Sequence, residues 1–344
     1  MHNKPLFLLF LTFISLSLTS QPQSLPKINY VVVLMEENRS FDHMFGWASS
    51  ILKTDGLTGK EYNQYSTLDP NSKKVYVDDL SPDFSPCDPD HGYAATTHKI
   101  FGEKQIKMHN YSVEGMVGFV EWEVGHDLPS TDCGVLSMQS PDKLPVLVSL
   151  AKEYAVMDKF FASVPGPTWP NRMYFHAATS AGSTATYPWY RMDMGRLFPQ
   201  RTFMDQLMAE GFSWKNYYND TPWELFMEGF AHHPDHQATM DEFFYDCQMG
   251  TLPSYSFINP RSGINTTNGQ GSNDQHPDHS IVAGELYIKD VYEAVRASPL
   301  WNETLLIITY DEHGGFYDHI SPPDHNVPGP GGYSPSTQFL FTND

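Results

Sequence analysis

Apolar segments near both ends of the chain predict strands that are buried on both faces. Ile28–Met35 and Leu305–Tyr310 are apolar runs rich in β-branched side chains, and neither carries a charge. Runs of this kind are typical of parallel sheets, in which helices cover both faces. Ala155–Ala162 and Ser213–Tyr218 are also predicted to be strands, each after a predicted helix.

Helices are predicted between these strands. One follows residue 280, where apolar side chains recur on a single helical face: Ile281, Ile288, Val291, Tyr292 and Val295. Leu144–Tyr154 and Phe203–Glu210 also predict helices, and Gly211 stands where the second would be capped. Strands that alternate with helices predict an α/β fold, with a mainly parallel central sheet sandwiched by helices.

The first 24 residues have the pattern of a secretory signal peptide. Lys4 precedes an uncharged apolar segment, Leu6–Leu18, and small and polar residues follow it. This segment is shorter than the roughly 20 apolar residues of a transmembrane helix, although an uncleaved anchor is an alternative. We therefore expect the protein in the secretory pathway, either secreted or in an endomembrane lumen.

Cysteines and glycosylation patterns fit that location. Cys87, Cys133 and Cys247 allow one disulfide and one free thiol, and the sequence does not choose the pair. Acceptor patterns for N-glycosylation occur at four positions: Asn110, Asn219, Asn265 and Asn302.

The charge balance excludes one class of partner. The 344 residues include 41 acidic and 21 basic side chains, which gives a net charge of −20. A chain this acidic repels the phosphate backbone, so we expect no nucleic-acid binding. It also disfavours adsorption to anionic lipid through a basic face, but a membrane can still be reached by apolar contact.

Charged and polar residues follow two of the predicted strands directly. Glu37 and Asn38 come after the first strand, and Asp311 and Glu312 come after the last. Because ligands bind at the carboxyl ends of strands in open α/β sheets, we expect both acidic segments at one crevice. Their charges would repel each other, so a divalent cation between them is the simplest explanation. Helix capping is the alternative for either segment alone.

A proline-rich turn carries a candidate nucleophile. Thr168 lies within residues 165–171, and Arg172 follows at the start of an apolar helix. A threonine hydroxyl beside a metal ion loses its proton more readily and can attack phosphorus or sulfur.

Histidines form a further group of candidates. His276 and His279 lie in a loop before the helix of residues 281–295, His91 lies in a loop rich in Asp and Pro, and His319 follows Asp311 by eight residues. Residues 232–236, HHPDH, have a metal-binding composition, but the sequence predicts no strand end beside them, so we disfavour that site.

These segments occur in an order that resembles a known family. Residues 37–43, 166–172, 274–279 and 311–319 together are similar to the phosphoesterase family of plant non-specific phospholipases C, bacterial phospholipases C and related acid phosphatases. That family belongs to the alkaline-phosphatase superfamily, so the resemblance implies an alkaline-phosphatase-like fold. It covers the chain from about Lys27 onwards. We therefore expect residues 1–24 to be the signal peptide and residues 25–344 the phosphoesterase catalytic domain.

The resemblance implies a role for each matching residue. The implied metal ligands are Glu37, Asn38, Thr168, Asp311 and Glu312. The implied catalytic residues are Thr168 as nucleophile, His276 and His279, and the implied substrate-binding residues are His91, Asn38 and His319. The cofactor is a divalent cation: Ca, Zn, Mn or Mg. If Asn38 binds metal it is buried, so its own glycosylation pattern with Ser40 should be silent.

The implied activity is that of a metal-dependent phospholipase C, which cleaves phospholipids such as phosphatidylcholine. Thr168 would attack phosphorus, diacylglycerol would leave with a proton from His276 or His279, and water would hydrolyse the phosphothreonine. The implied partner is a phospholipid or phosphate ester, with peripheral membrane contact. Two alternatives stay open: an acid phosphatase for soluble phosphomonoesters, and a secreted metal- or lipid-binding protein without catalysis.

Two features depart from the family pattern. Ser280 stands where many members carry Asp after His279, which puts a carboxylate partner of that histidine in question. The sequence also ends soon after the last motif, whereas relatives usually continue, so we expect that their C-terminal region is missing here.

Overall fold

Seven strands are present in the computed structural model, which describes residues 27–85, 87–109, 115–126, 132–186, 197–263 and 271–323. The strands are β1 (Tyr30–Glu36), β2 (Tyr62–Gln64), β3 (Lys74–Tyr76), β4 (Trp214–Tyr218), β5 (Gln237–Thr239), β6 (Tyr255–Asn259) and β7 (Thr304–Tyr310). Five of them form one parallel sheet in the order β5-β4-β6-β1-β7. The predicted α/β fold with a mainly parallel sheet is therefore confirmed.

Ten helices surround this sheet within the described part of the chain. They are α1 (Phe41–Phe45), α2 (Ser49–Leu52), α3 (Tyr93–Lys107), α4 (Phe119–His126), α5 (Pro145–Glu153), α6 (Thr168–Ala177), α7 (Phe203–Ala209), α8 (Glu228–Ala231), α9 (Met240–Met249) and α10 (Ile281–Ala297). The predicted apolar face of α10 is buried at Ile281, Ile288, Val291 and Val295. Among the described residues, no helix combines the length and apolar character needed to cross a bilayer.

Strand β1 lies inside the sheet and contributes to two hydrophobic cores. It pairs with β6 on one side and with β7 on the other. Val32 and Leu34 belong to the core that α10 covers, whereas Val33 and Met35 belong to the core that α6 covers. Successive side chains of a strand point to opposite faces, so a strand covered on both sides must be apolar throughout. This is the physical reason for its uninterrupted apolar sequence.

One strand prediction is wrong. Ala155–Ala162 contains no regular secondary structure. Its apolar composition favours a strand, but a strand also requires a neighbour that completes its hydrogen bonds, and no strand of the described sheet pairs with it. Met157 and Phe160 are each 58% exposed as a result. The prediction of a strand at Ser213–Tyr218 is confirmed by β4.

The structure selects one cysteine pair from the three that the sequence allows. Cys87 and Cys133 form a disulfide with their Cα atoms 5.7 Å apart, and Cys247 is free and buried. The bond joins the loop that precedes His91 to the segment after α4, next to a third hydrophobic cluster. The predicted signal peptide and the patterns at Asn110 and Asn265 lie outside the described residues.

Candidate active site

Two acidic segments meet at the carboxyl ends of β1 and β7. These strands are parallel neighbours in which Glu36 lies opposite Tyr310, so the residues that follow them emerge side by side. The backbone N–H of Asn38 donates to Asp311 Oδ1 over 3.0 Å. We call Glu37, Asn38, Asp311 and Glu312 the acidic cluster, and all four residues are buried.

Gly314 allows the second acidic segment to lie directly against the first. Its φ angle is +61°, and a Cβ atom at this position would lie 1.9 Å from the carbonyl oxygen of Asn38. Asn38 itself has a φ of +58°. The two segments are therefore fitted to each other through their backbones as well as through their side chains.

Arg172 on α6 contacts both acidic segments from within the protein. Its guanidinium donates to Glu37 Oε1, lies 3.5 Å from Asp311 Oδ2, and donates over 2.9 Å to Glu224 Oε1. Burial by itself would lower the pKa of Arg172, but Glu37, Glu224 and Asp311 together raise that pKa above its ordinary value. This arginine is therefore a permanent cation at the base of the site.

The acidic cluster carries more negative charge than Arg172 balances. Burial, followed by the charge of Asp311, raises the pKa of Glu312 well above its ordinary value. Burial also raises the pKa of Glu37, although Arg172 opposes the shift. Three buried oxygens of the cluster have no hydrogen-bond partner: Asn38 Oδ1, Asp311 Oδ2 and Glu312 Oε1. Unpaired carboxylate and amide oxygens that converge in this way fit a divalent cation.

Thr168 is the first residue of α6, one helical turn before Arg172. Residues four positions apart lie on the same face of a helix, so Thr168 shares the face whose arginine contacts Glu37 and Asp311. The preceding turn is held by Asn171, whose side chain accepts from Val164 N over 2.9 Å and donates to Gly166 O over 2.9 Å. The sequence-predicted nucleophile thus begins the helix that carries Arg172, directly after a turn that Asn171 holds in place.

The three predicted pocket histidines lie together and join the acidic cluster. His91 Nε2 lies 3.2 Å from Asn38 Nδ2 and 3.8 Å from Glu312 Oε1. The ring centroids of His91 and His276 are 6.2 Å apart, and those of His276 and His279 are 5.3 Å apart. We call His91, His276 and His279 the histidine trio.

Each of the two loop histidines is oriented by a carboxylate. His276 Nδ1 lies 2.7 Å from Asp278 Oδ1, and His279 Nδ1 lies 2.6 Å from Asp274 Oδ1. A contact of this kind fixes the tautomer. It leaves Nε2 of His276 for proton transfer, whereas Nε2 of His279 lies 3.4 Å from Asp278 Oδ1. Ser280 takes a different role, because it caps α10 and donates to Asp83. The carboxylate that the sequence left in question is therefore supplied by Asp274.

Arg39 links the acidic cluster to the histidine trio. Its Nε donates to Gln275 O over 2.6 Å, and its Nη1 lies 3.4 Å from Ser85 Oγ, so it joins the loop of His276 to the loop before His91. Its guanidinium also packs 4.9 Å from the ring centroid of Phe316. Burial lowers the pKa of Arg39 to about 10, which leaves it charged at neutral pH.

The sequence predicts neither of these arginine contacts. Arg172 and Glu224 are 52 positions apart, and Arg39 and Gln275 are 236 positions apart. Glu224 lies in a short 3-10 turn, Trp223–Phe226, without any periodic pattern. The only available signal was the position of Arg39 inside a motif of the family and of Arg172 just after the proline-rich turn.

His319 lies in a separate group of acidic residues. Its Nδ1 is 2.8 Å from Asp42 Oδ2, and its Nε2 is 3.3 Å from Asp55 Oδ1. The hydrogen bond with Asp42 is the largest cause that raises the pKa of His319 to about 9. The structure thus pairs His319 with a carboxylate of α1 and one of the loop after α2 rather than with the histidine trio, and its predicted role in substrate binding stays a prediction.

An apolar cavity of about 980 Å³ adjoins the acidic cluster. Asp311 and Glu312 form part of its wall, and Phe160, Phe161 and Leu306 form part of the rest. Phosphate chemistry and an apolar group could therefore be accommodated next to each other.

Comparison with known proteins identifies the family. The profile of the phosphoesterase family matches residues 28–341. The chain belongs to the phosphoesterase family. Two similar proteins of Arabidopsis thaliana are named non-specific phospholipase C1 and non-specific phospholipase C6. The first is 39% identical to this chain over 321 residues, and the second is 38% identical over 325 residues. Each alignment covers 92% of the chain. Phospholipase C B of Mycobacterium tuberculosis is 26% identical over an alignment of 349 residues, which covers 90% of the chain.

The relatives are longer than this phosphoesterase. The matched regions make up 58% and 59% of the two Arabidopsis proteins and 62% of the Mycobacterium protein. The chain therefore spans less than two thirds of each of these relatives. The acidic cluster, Thr168 and the histidine trio all lie within the region that the family profile matches.

Proposed function

We propose that this phosphoesterase is a metal-dependent phospholipase C that cleaves phospholipids such as phosphatidylcholine. The observation that carries the proposal is the contact between the acidic cluster, Arg172 and the histidine trio at the carboxyl ends of β1 and β7. That arrangement combines carboxylates for a cation, imidazoles for proton transfer and a hydroxyl for attack on phosphorus. The names of the relatives support the same activity.

The reaction begins with the hydroxyl of Thr168. Its oxygen attacks phosphorus in line as its proton passes to the imidazole of His276 or His279, and the bond between phosphorus and the glycerol oxygen breaks. His276 or His279 donates a proton to that oxygen, so diacylglycerol leaves as a neutral alcohol. The head group stays attached through phosphorus to Thr168. Asp278 and Asp274 hold the two imidazoles in position for this transfer.

A second step restores the enzyme. One of the same imidazoles takes a proton from water, and the resulting hydroxide attacks phosphorus. The bond between phosphorus and Thr168 then breaks, which releases the phosphorylated head group and returns the proton to the threonine oxygen. Arg172 holds Glu37 and Asp311 in place throughout.

A divalent cation held by Glu37, Asn38, Asp311 and Glu312 would supply the positive charge that an anionic phosphate needs and would favour loss of the Thr168 proton. The unpaired oxygens of the acidic cluster support such an ion. Their all-oxygen composition suits Ca²⁺, Mg²⁺ or Mn²⁺, and Zn²⁺ also accepts carboxylates.

The apolar cavity favours a lipid over a soluble monoester. A diacylglycerol leaving group has long acyl chains, and Phe160, Phe161 and Leu306 provide apolar contacts beside Asp311 and Glu312. Peripheral contact with a membrane would bring such a substrate to the exposed Met157 and Phe160. A small phosphate ester would leave this cavity without a ligand.

We propose a secretory location together with this activity. Asn302 is exposed, whereas the side-chain nitrogen of Asn219 is buried, so a glycan is expected at Asn302 and not at Asn219. Asn38 is fully buried, so its pattern should be silent. Mass spectrometry of the protein from a secreting eukaryotic host tests all three positions and removal of the first 24 residues.

Replacement of Thr168 tests the function directly. In Thr168→Ala we expect turnover of phosphatidylcholine vesicles to fall by several orders of magnitude, because no nucleophile remains. Stability should change by only about 1 kcal/mol. Thr179→Ala, at the other end of α6, is the matched control and should keep its turnover. Acid quenching of the wild type during turnover should trap phosphate on Thr168.

Three results would count against the proposal. Near-normal turnover by Thr168→Ala with unchanged metal content would mean that water attacks phosphorus. Hydrolysis of p-nitrophenyl phosphate without hydrolysis of phosphatidylcholine would favour the acid phosphatase. Inactivity on both substrates with metal bound would favour the non-catalytic alternative.

A further inference from the structure

A second group of metal-ligating side chains lies far along the sheet from the acidic cluster. His233, Asp235 and His236 each offer one ligand atom, and these atoms all lie within 4.8 Å of one another. They belong to the 3-10 turn Pro234–His236 and the residue before it, and β5 begins immediately afterwards at Gln237. The sequence predicts no strand end beside this segment, and the structure places it before the start of β5 rather than after a strand.

The group is at the opposite end of the sheet from the active site. Strand β5 is the edge strand beside β4, and both strands run parallel to β1 and β7. Trp214, the first residue of β4, packs against both imidazoles, with its ring centroid 4.3 Å from that of His236 and 6.1 Å from that of His233. The group therefore lies where the strands begin, and the acidic cluster lies where they end.

His236 has the second contact that metal-binding histidines usually have. Its Nδ1 lies 2.8 Å from the backbone oxygen of Trp214. Donation to a backbone carbonyl fixes the tautomer and ring orientation, and it leaves Nε2 with a free lone pair. Because Trp214 is itself buried, the platform beneath both rings is rigid.

The spacing of the ligand atoms is close to that of a tetrahedral zinc site. Ligands at about 2.0–2.2 Å from a tetrahedral ion lie roughly 3.3–3.6 Å from one another. Asp235 Oδ2 lies 3.7 Å from His236 Nε2, which is within a few tenths of an ångström of that spacing, and the remaining pairs lie within 4.8 Å. Two imidazoles and one carboxylate are a ligand set that suits Zn²⁺, with water in the fourth position.

We propose that His233, Asp235 and His236 bind a zinc ion in the turn before β5. This site is separate from the acidic cluster and does not depend on the proposed phospholipase activity. Binding should stabilise the folded state, because only folding brings the Trp214 carbonyl to His236 and fixes that ligand in position.

Zinc counting on the full chain tests the proposal. Equilibrium dialysis against Zn²⁺ at pH 7.5, followed by metal analysis, should give one zinc ion fewer per chain for His233→Ala than for the wild type. His232→Ala is the matched control, because this exposed neighbour is outside the group, and it should bind as many ions as the wild type. Zn²⁺ should also raise the melting temperature of His233→Ala by less than it raises that of the wild type.

Equal zinc counts for the wild type and a folded His233→Ala would overturn the proposal. If that variant does not fold, Asp235→Ala decides, because its side chain is 78% exposed and its loss does not disturb the core. A wild-type count for Asp235→Ala at zinc concentrations that just saturate the wild type would likewise reject the site. Catalytic activity should be unchanged in both variants, which separates this site from the acidic cluster.

Discussion

Two fully buried cations show how differently this protein uses buried charge. Lys99 on α3 faces one carboxylate, Glu123 on α4, and donates to the backbone oxygens of Asp90 and Gly315. Arg172 on α6 faces three carboxylates, those of Glu37, Glu224 and Asp311. The first arrangement is neutral as a pair, whereas the second keeps an excess of negative charge.

The difference distinguishes a structural ion pair from a binding site. Lys99 joins α3 and α4 to the loop before His91 and to the segment after the second acidic motif, and its charge is balanced without any ligand. Arg172 cannot balance its partners, and Glu312 adds a further buried carboxylate nearby. A buried charge excess is costly unless a counter-ion joins it, so the imbalance supports the cation that we propose for this site.

The largest effect is expected when one of the carboxylates that contact Arg172 is neutralised. Asp311→Asn should reduce turnover by three orders of magnitude or more, which corresponds to about 4 kcal/mol of lost transition-state stabilisation. The protein should still fold, because removal of one of several like charges relieves repulsion. Activity assays with metal analysis and circular dichroism provide the check, and a folded variant with full metal content and full turnover would contradict it.

The balanced pair of Lys99 and Glu123 should lose stability when its carboxylate is removed. Glu123→Gln leaves the Lys99 charge buried without its partner, so we expect a loss of about 3–5 kcal/mol in the free energy of unfolding. The double variant Lys99→Met with Glu123→Leu should recover most of this loss, because no charge is then left unpaired. Denaturant unfolding measures both. If the double variant is no more stable than the single one, the pair has a role beyond neutralising charge.

The smallest effect is expected for the ion pair of His319 and Asp42, in which only Asp42 is fully buried. The raised pKa of His319, about 9, means that its protonated form is favoured by folding. Its contribution is therefore complete below a pH of roughly 6.5 and is lost as the pH rises through about 9. The unfolding free energies of wild type and His319→Gln should differ by about 1 kcal/mol at pH 6 and converge above pH 9. A constant difference across this range would show that packing, not charge, explains it.

Local sequence pattern was sufficient to locate β1, β7 and α10, which lie within two residues of their predicted positions. Burial of β1 on both faces and of α10 on one face leaves a direct pattern. The prediction that β7 is buried on both faces is wrong, because β7 is an edge strand of the described sheet and most of its residues are only half-buried. Ala155–Ala162 shows the limit, since an apolar segment becomes a strand only when another strand pairs with it. That condition depends on the whole fold and is not written in the segment.

Within the site, contacts could be predicted only for the residues that directly follow a predicted strand. Residues that directly follow β1 and β7 were predicted to meet, because parallel neighbouring strands end at one edge. The Arg172–Glu224 contact, the Arg39 contact with Gln275 and the choice of Cys87 with Cys133 could not be predicted. Each joins positions that are far apart in sequence and have no shared periodicity.

The close approach of Gly314 to Asn38 has a consequence for how this protein can change over evolutionary time. A side chain at position 314 would displace the Asn38 backbone, although the two residues are far apart along the chain. Any descendant that gains a larger residue there would have to rebuild the segment after β1 in the same step. The two motifs can therefore change at this contact only together. Position 314 does not accept even alanine unless the segment after β1 also changes.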